Sequence, residues 1–154
     1  MNDRLLNESN QLLLAAYHGE LDWVQNCIRG GLNIHARDNG GMTALHWVVD
    51  MGLVGSSDER AEIVRFLLSC GAKVNATDNW ERSVLAVATM TGNFDLVQLL
   101  VDAGADVNLA DHEGRKPLDI SISNEDNNSY AILKRAGEKR QDSQTGVEPS
   151  HRPK

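Results

Sequence analysis

The stretch GADVNLADHEGRKPLD, which runs from Gly104 to Asp119, repeats two earlier parts of the same chain. GAKVNATDNWERSVLA starts 33 residues before it, at Gly71, and GGLNIHARDNGGMTALH starts at Gly30. Independent residue types that share one period indicate a chain built from stacked structural repeats. Three series keep this step, each with one interval of 40 and otherwise 33: Gly31, Gly71, Gly104 and Gly137; Leu12, Leu45, Leu85 and Leu118; Asp38, Asp78 and Asp111.

Each period combines two apolar helix patterns with a polar turn. In FDLVQLLVDAGADVN, from Phe94 to Asn108, the apolar residues recur with helical spacing, and Gly104 follows where a helix C-cap is expected. SVLAVATMTG, from Ser83 to Gly92, predicts a shorter helix, and LADHEG predicts an Asp-rich turn. One such unit cannot bury its own apolar face, so neighbouring units must stack to form a continuous core.

The motifs GMTALH (41–46), IVRFLL (63–68) and GADVN (104–108), set at this step, resemble those of the ankyrin repeat family. The resemblance implies an all-α ankyrin repeat solenoid of helix-turn-helix units with short β-hairpin connections. In such a solenoid the inner helices form a concave face and the hairpin tips project as fingers. We predict an ankyrin repeat domain over residues 1–137, with repeats at 5–37, 38–77, 78–110 and 111–137, and a disordered tail over 138–154.

Two departures from the regular repeat carry structural predictions. The second repeat holds seven extra residues, 40 in place of 33, between Gly52 and Ile63. Ser56 and Glu59 have capping-box spacing, which predicts that the outer helix starts early. This insertion (54–61) is either an inert length variation or a second contact site. In the third repeat Glu81 replaces the family's glycine; if the position still requires a left-handed backbone, the cost is on the order of 1–2 kcal/mol.

Composition and charge argue against nucleic-acid and membrane partners. The formal net charge of -7 opposes contact with phosphate backbones or an anionic lipid surface. The apolar run at 12–16 is too short to span a bilayer and lacks the flanks of a signal peptide. Two cysteines, Cys27 and Cys70, are too few for a disulfide framework, so we expect a reduced, cytoplasmic protein.

The sequence shows no pattern of catalytic residues. The five histidines lack metal-ligand spacing, and the glycine pairs at 30–31 and 40–41 do not follow a strand-to-helix phosphate-loop pattern. We therefore predict no enzymatic activity, no metal and no cofactor. The resemblance implies that His46 makes a structural hydrogen bond between repeats. Cys27, in a leucine position, is expected to be buried, and Cys70 to be partly exposed.

The resemblance also implies that a partner binds at the fingers and at exposed inner-helix positions, because the core does not require these residues. Tyr, Met and Trp among polar neighbours form a ridge typical of an interface centre. Trp80 is either a binding hot spot or packs on the neighbouring tip; Trp23 is expected in the core, and Trp47 is left open between the two. The candidate protein-binding residues are Tyr17, His18, Arg37, Asn39, Met42, Trp47, Asp50, Met51, Asn79, Trp80, Arg82, Met90, His112, Glu113 and Arg115.

We expect a non-enzymatic protein–protein interaction module, monomeric when unbound, that binds one partner protein through its concave face and hairpin tips. An alternative is an inhibitor or immunity-type protein that neutralises a partner enzyme or toxin by occluding its site. A third hypothesis, catalysis, would require turnover that depends on His46 or Cys70. The sequence does not specify the partner's identity, since ankyrin stacks serve many functions.

Overall fold

The computed structural model describes residues 8–50 and 56–144. Within these ranges the chain forms eight α-helices and no strands, which confirms the predicted all-α class. The helices pair into four helix-turn-helix units: α1 (Glu8–His18) with α2 (Leu21–Arg29), α3 (Ala44–Asp50) with α4 (Ser57–Ser69), α5 (Val84–Met90) with α6 (Phe94–Asp102), and α7 (Pro117–Ser123) with α8 (Asn127–Gln144).

The units stack side by side. Helices α1, α3, α5 and α7 contact one another in turn and form an inner layer, and α2, α4, α6 and α8 form an outer layer in the same way. The repeated leucines Leu12, Leu45 and Leu85 are all buried, and so are the outer-helix residues Leu67 and Leu100. One continuous core therefore runs through the stack, and the predicted repeat solenoid is confirmed.

Tight polar turns connect each unit to the next. We call them the first finger (37–42), the second finger (77–82) and the third finger (110–115). An antiparallel bridge between Thr77 and Ser83 closes the base of the second finger. Each finger leads directly into the N-terminal end of an inner helix, whereas the predicted inner-helix candidates Tyr17, His18, Asp50 and Met90 lie at the C-terminal ends of those helices.

His46 joins the second unit to the third. Its buried Nδ1 accepts the backbone N–H of Thr43 at 3.2 Å. Because that N–H can only donate, Nε2 carries the ring proton and donates to the carbonyl oxygen of Arg82, also at 3.2 Å. The hydrogen bond between repeats is confirmed. Burial lowers the pKa of the imidazole, although the Arg82 carbonyl partly opposes this effect.

Acidification is expected to destabilise the fold through His46. An unfolded histidine binds a proton near pH ~6.5, whereas buried His46 binds it only at lower pH. The unfolded state therefore takes up more protons, and the free energy of unfolding falls as the pH drops below about 6.5. Urea denaturation at pH values of about 7.5 and about 5.5 measures the loss. His46→Gln should lose less on acidification than the parent protein; equal losses would contradict the assignment.

The insertion lengthens the outer helix of the second unit, as predicted. Helix α4 starts at Ser57, and Ser56 caps it. The Ser56 hydroxyl accepts the backbone N–H of Glu59 at 3.2 Å, and the Glu59 carboxylate accepts the backbone N–H of Ser56 at 2.8 Å, which completes the capping box. Residues 51–55 lie outside the described ranges, and a contact role for the insertion stays a prediction.

Two glutamates occupy left-handed backbone positions that glycine fills in other repeats. Glu81 has a φ of 59° and matches Gly41 (78°) and Gly114 (79°) in the other fingers, so the position does require a left-handed backbone. Glu125, with a φ of 55°, follows α7 in the position that glycines hold after α1 and α5. The third and fourth repeats therefore each carry one strained residue that the others avoid.

Glu81→Gly is expected to raise the free energy of unfolding by about 0.5–1 kcal/mol. The substitution removes the cost of the left-handed backbone, about 1–2 kcal/mol. Glycine also makes the unfolded chain more flexible, and this opposes the gain by about 0.5–1 kcal/mol. Urea denaturation of both proteins measures the difference. Glu113→Gly is the control, because Glu113 is an exposed finger residue without a positive φ and its replacement should not stabilise the protein. A Glu81→Gly protein no more stable than its parent would contradict the strain argument.

The C-terminal boundary differs from the sequence expectation. Helix α8 extends to Gln144, so it includes residues 138–144, which the sequence assigned to a disordered tail. Glu138, Lys139 and Arg140 are good helix formers, and they extend a helix that α6 and α7 already hold by packing. Residues 145–154 lie outside the described ranges, and the repeat boundaries stay a prediction.

Candidate protein-binding surface

One aspartate shapes each finger. Oδ1 of Asp38 accepts the backbone N–H groups of Gly40 and Met42, at 2.8 and 2.9 Å. Asp78 and Asp111 accept the N–H groups of the equivalent residues in their own fingers at distances of 2.9 to 3.0 Å. The repeated aspartates therefore hold all three fingers in the same backbone conformation.

The second aspartate oxygen distinguishes the first finger from the other two. Nε and Nη2 of Arg82 bind Oδ2 of Asp78 at 2.7 and 2.6 Å, and the third finger contains the same pair. In the first finger Met42 occupies the arginine position. Oδ2 of Asp38 accepts instead the indole N–H of Trp47, at 3.0 Å. The first finger is thus fixed to helix α3 by a neutral donor.

The third finger is internally paired. Burial alone would raise the pKa of Asp111, but hydrogen bonds from the backbone and side chain of Arg115 and from the backbone of Glu113 outweigh burial and hold the pKa below its usual value. Nη1 of Arg115 also lies 3.1 Å from the Glu113 carboxylate. Glu113 and Arg115, two of the predicted binding residues, therefore contact each other and are also exposed to solvent.

Hydrogen bonds couple each finger to the next. The N–H of Asn79 donates to the carbonyl of Gly40 at 2.9 Å, and the N–H of His112 donates to the carbonyl of Trp80 at 3.0 Å. The side-chain amide of Asn79 also donates to the carbonyl of Asn39, at 2.9 Å. The fingers and the candidate residues that they carry therefore form one coupled row.

Trp80 lies at the tip of the second finger with 47% of its surface exposed. Its ring lies so close to Gly40 of the first finger that a Cβ added there would be 3.3 Å from Cζ3. The guanidinium of Arg82 lies 4.9 Å from the ring centroid, a cation–π distance. The indole therefore packs on the neighbouring tip, one of the two sequence alternatives, and still presents half of its surface. Its role in binding stays a prediction.

A groove of about 480 Å³ opens between the first finger and the inner helices α1 and α3. Tyr17, which is exposed, meets the half-buried Trp47 edge to face, with ring centroids 5.5 Å apart. Because Asp38 fixes the other end of the indole, Trp47 is both a structural residue and a groove wall. The groove is lined by Leu13, Leu14, Tyr17, Arg37, Asp38, Asn39 and Trp47.

The prediction that Met42 is exposed at a finger tip is wrong. Met42 is buried, with 8% of its surface exposed. Its N–H donates to the Asp38 carboxylate, and its carbonyl accepts the N–H of Asp38. This double pairing places Met42 at the base of the finger, and its apolar side chain is buried there, whereas the arginines in the same position of the other fingers are more exposed.

The prediction that Trp23 is a core residue is also wrong. Ile63 and Leu96 hold the same position in later units and are buried, yet Trp23 is 37% exposed. In the described part of the chain the first unit has a neighbouring unit on one side only, so its outer helix is less covered than the outer helices inside the stack. Trp23 stacks instead on His18, at a centroid distance of 6.1 Å.

The remaining candidates are mostly at the surface. Arg82 is half-buried by its pairing with Asp78, and Met51 lies outside the described ranges. Sequence reasoning missed Ile122, which is exposed although Val49 and Thr89 are buried in the same position of earlier units. The exposed candidates, besides Tyr17 and Trp80, are His18, Arg37, Asn39, Asp50, Asn79, Met90, His112, Glu113 and Arg115.

Among the described side chains, those of residues 11–50 and 56–139, no three from His, Cys, Asp or Glu converge to hold a metal ion. Cys27 is buried, which raises the pKa of its thiol, and Cys70 is exposed, both as the sequence predicted. No helix in the same ranges is long and apolar enough to cross a membrane.

Comparison with known proteins agrees with this architecture. A family model described as ankyrin repeats (3 copies) matches residues 1–78 and 53–142. The chain is 44% identical over 66 residues to palmitoyltransferase akr1 of Schizosaccharomyces pombe, which covers 42% of this chain and 9% of that protein. It is 37% identical over 71 residues to human protein phosphatase 1 regulatory subunit 27, which covers 43% of this chain and 42% of that protein. The chain thus spans less than half the length of these relatives.

Proposed function

Because this chain belongs to the ankyrin repeat family, whose repeats are generally protein–protein interaction modules, we propose that it binds a partner protein through its fingers and inner helices. The binding surface consists of the groove beside the first finger, the tips of the three fingers, and the exposed ends of the inner helices. The protein acts by contact rather than by catalysis, is monomeric when unbound, and functions in the cytoplasm.

One observation carries the proposal: large apolar side chains are exposed along a backbone that is already fixed. Tyr17, Trp80 and Met90 are 41%, 47% and 41% exposed. The aspartate turns and the bonds between fingers hold the backbone beneath Trp80, and helices α1 and α5 carry Tyr17 and Met90. Exposed aromatic and methionine side chains among polar neighbours supply the contacts that dominate binding energy. A preformed surface of this kind loses little conformational entropy on association.

The proposal is tested by affinity capture from a lysate of the source cells with the parent protein and Trp80→Ala/Met90→Ala. We expect one near-stoichiometric partner that the double variant loses. The matched control is Phe94→Ala, because Phe94 is equally exposed, at 44%, but starts the outer-layer helix α6. A partner retained by the double variant and lost with Phe94→Ala would contradict the proposed surface. Circular dichroism spectra confirm that both variants fold.

A further inference from the structure

Arg37 at the start of the first finger is anchored at one nitrogen. Its Nη1 donates to the carbonyl of Gly41 at 3.0 Å and to the carbonyl of Thr77 in the second finger. These bonds hold the guanidinium across two fingers at the edge of the groove. Guanidinium presents five N–H donors, and those of Nε and Nη2 lie along one edge in the geometry that matches a carboxylate.

The other two fingers show what that edge binds. Arg82 and Arg115 direct Nε and Nη2 at the Asp78 and Asp111 carboxylates of their own fingers. Arg37 has no such partner among the side chains that the structure describes: no carboxylate of residues 11–50 or 56–139 makes an ion pair with it. The aspartate of the first finger is already engaged by Trp47 and by two backbone N–H groups.

An apolar floor lies beside this cation. Leu14, Tyr17 and Trp47 line the same groove of about 480 Å³ as Arg37. We propose that the groove binds a partner segment in which an Asp or Glu carboxylate pairs with Arg37 while a neighbouring aromatic or large aliphatic side chain packs on Tyr17 and Trp47. This inference rests on the proposed function and specifies the chemistry of the partner.

The negative net charge of the protein does not prevent an acidic partner segment from binding at Arg37. The net charge of -7 repels anions at long range. Salt screens such repulsion beyond about 8 Å at physiological ionic strength, whereas a carboxylate bound to Arg37 lies well within that distance. The Asp38 carboxylate also lines the groove, but N–H donors already bind both of its oxygens. The pairing with Arg37 therefore determines which residue of the partner is preferred beside it.

The test starts with a random dodecapeptide phage library selected on the full protein. We expect the enriched peptides to carry an Asp or Glu close to an aromatic or large aliphatic residue. Synthetic peptides are then titrated by fluorescence anisotropy, each beside a version with Asp→Asn or Glu→Gln. The amide version should bind the parent protein about five- to tenfold more weakly, because it loses a charge-assisted pair at a partly exposed site.

A double-mutant cycle locates the effect. In Arg37→Gln the acidic and amide peptides should bind equally, whereas in the matched control Arg115→Gln the preference for the acid should persist. Enriched peptides without acidic residues, or an acid preference that survives in Arg37→Gln, would overturn the inference. If Arg37→Gln fails to fold, equal binding of the acidic and amide peptides to the parent protein would still overturn the inference. A different result is that peptides bind equally well with acid or amide and are lost with Trp80→Ala/Met90→Ala. That result would refute this inference but support the proposed function.

Discussion

Leu85→Ala is expected to lower the free energy of unfolding by about 2–5 kcal/mol. Leu85 is fully buried in α5, which packs between α3 and α7 in the inner layer. Truncation removes buried methyl groups and leaves a cavity, and the helices on both sides cannot close it because their own contacts with α4 and α8 hold them. Urea denaturation followed by circular dichroism measures the loss.

Met90→Ala is the matched control for this prediction. Met90 ends the same seven-residue helix but is 41% exposed, so its truncation should cost less than about 1 kcal/mol. Both changes remove a large apolar side chain from one helix and leave the same alanine. Equal losses would mean that the inward and outward faces of α5 are assigned wrongly.

The repeat period predicted the fold because each unit buries its apolar face against neighbours at a constant step. Leu12, Leu45 and Leu85 therefore lie in the same environment, and all three are buried. The position of a residue within its repeat thus predicts whether its side chain is buried. The rule fails at the ends of the array. Trp23 and Ile122 stand in positions that are buried elsewhere, but a neighbouring unit does not cover them in the described chain. The position of a residue within its repeat does not show whether a neighbouring unit is present to cover it.

The candidate surface was harder to predict, because hydrogen-bond competition places its side chains. Met42 and Trp47 illustrate the point. Asp38 draws the backbone of Met42 to the base of the finger and binds the Trp47 indole with its other oxygen. A signal for this was present in the sequence. Arg82 and Arg115 stand where the first finger has Met42, so Asp38 had to find a different donor.

Gly41→Ala is expected to lower the free energy of unfolding by about 2–4 kcal/mol. Gly41 has a φ of 78°, a conformation that costs a residue with a side chain about 1–2 kcal/mol. A Cβ added there would also lie 2.8 Å from the backbone nitrogen of Asn79. That nitrogen donates to the carbonyl of Gly40, so relief of the clash would separate the first two fingers. Urea denaturation measures the loss of stability.

Gly114→Ala isolates the contribution of the close approach. Gly114 holds the same position in the third finger with a φ of 79°, but an added Cβ would meet nothing within 4 Å. Its replacement should carry the backbone cost alone, partly offset by the lower entropy of the unfolded chain, for a net loss of about 1 kcal/mol. Equal losses in the two variants would show that the first two fingers can separate at no cost. In that case the fingers would not form a rigid row, and the argument that the exposed side chains rest on a preformed surface would fail.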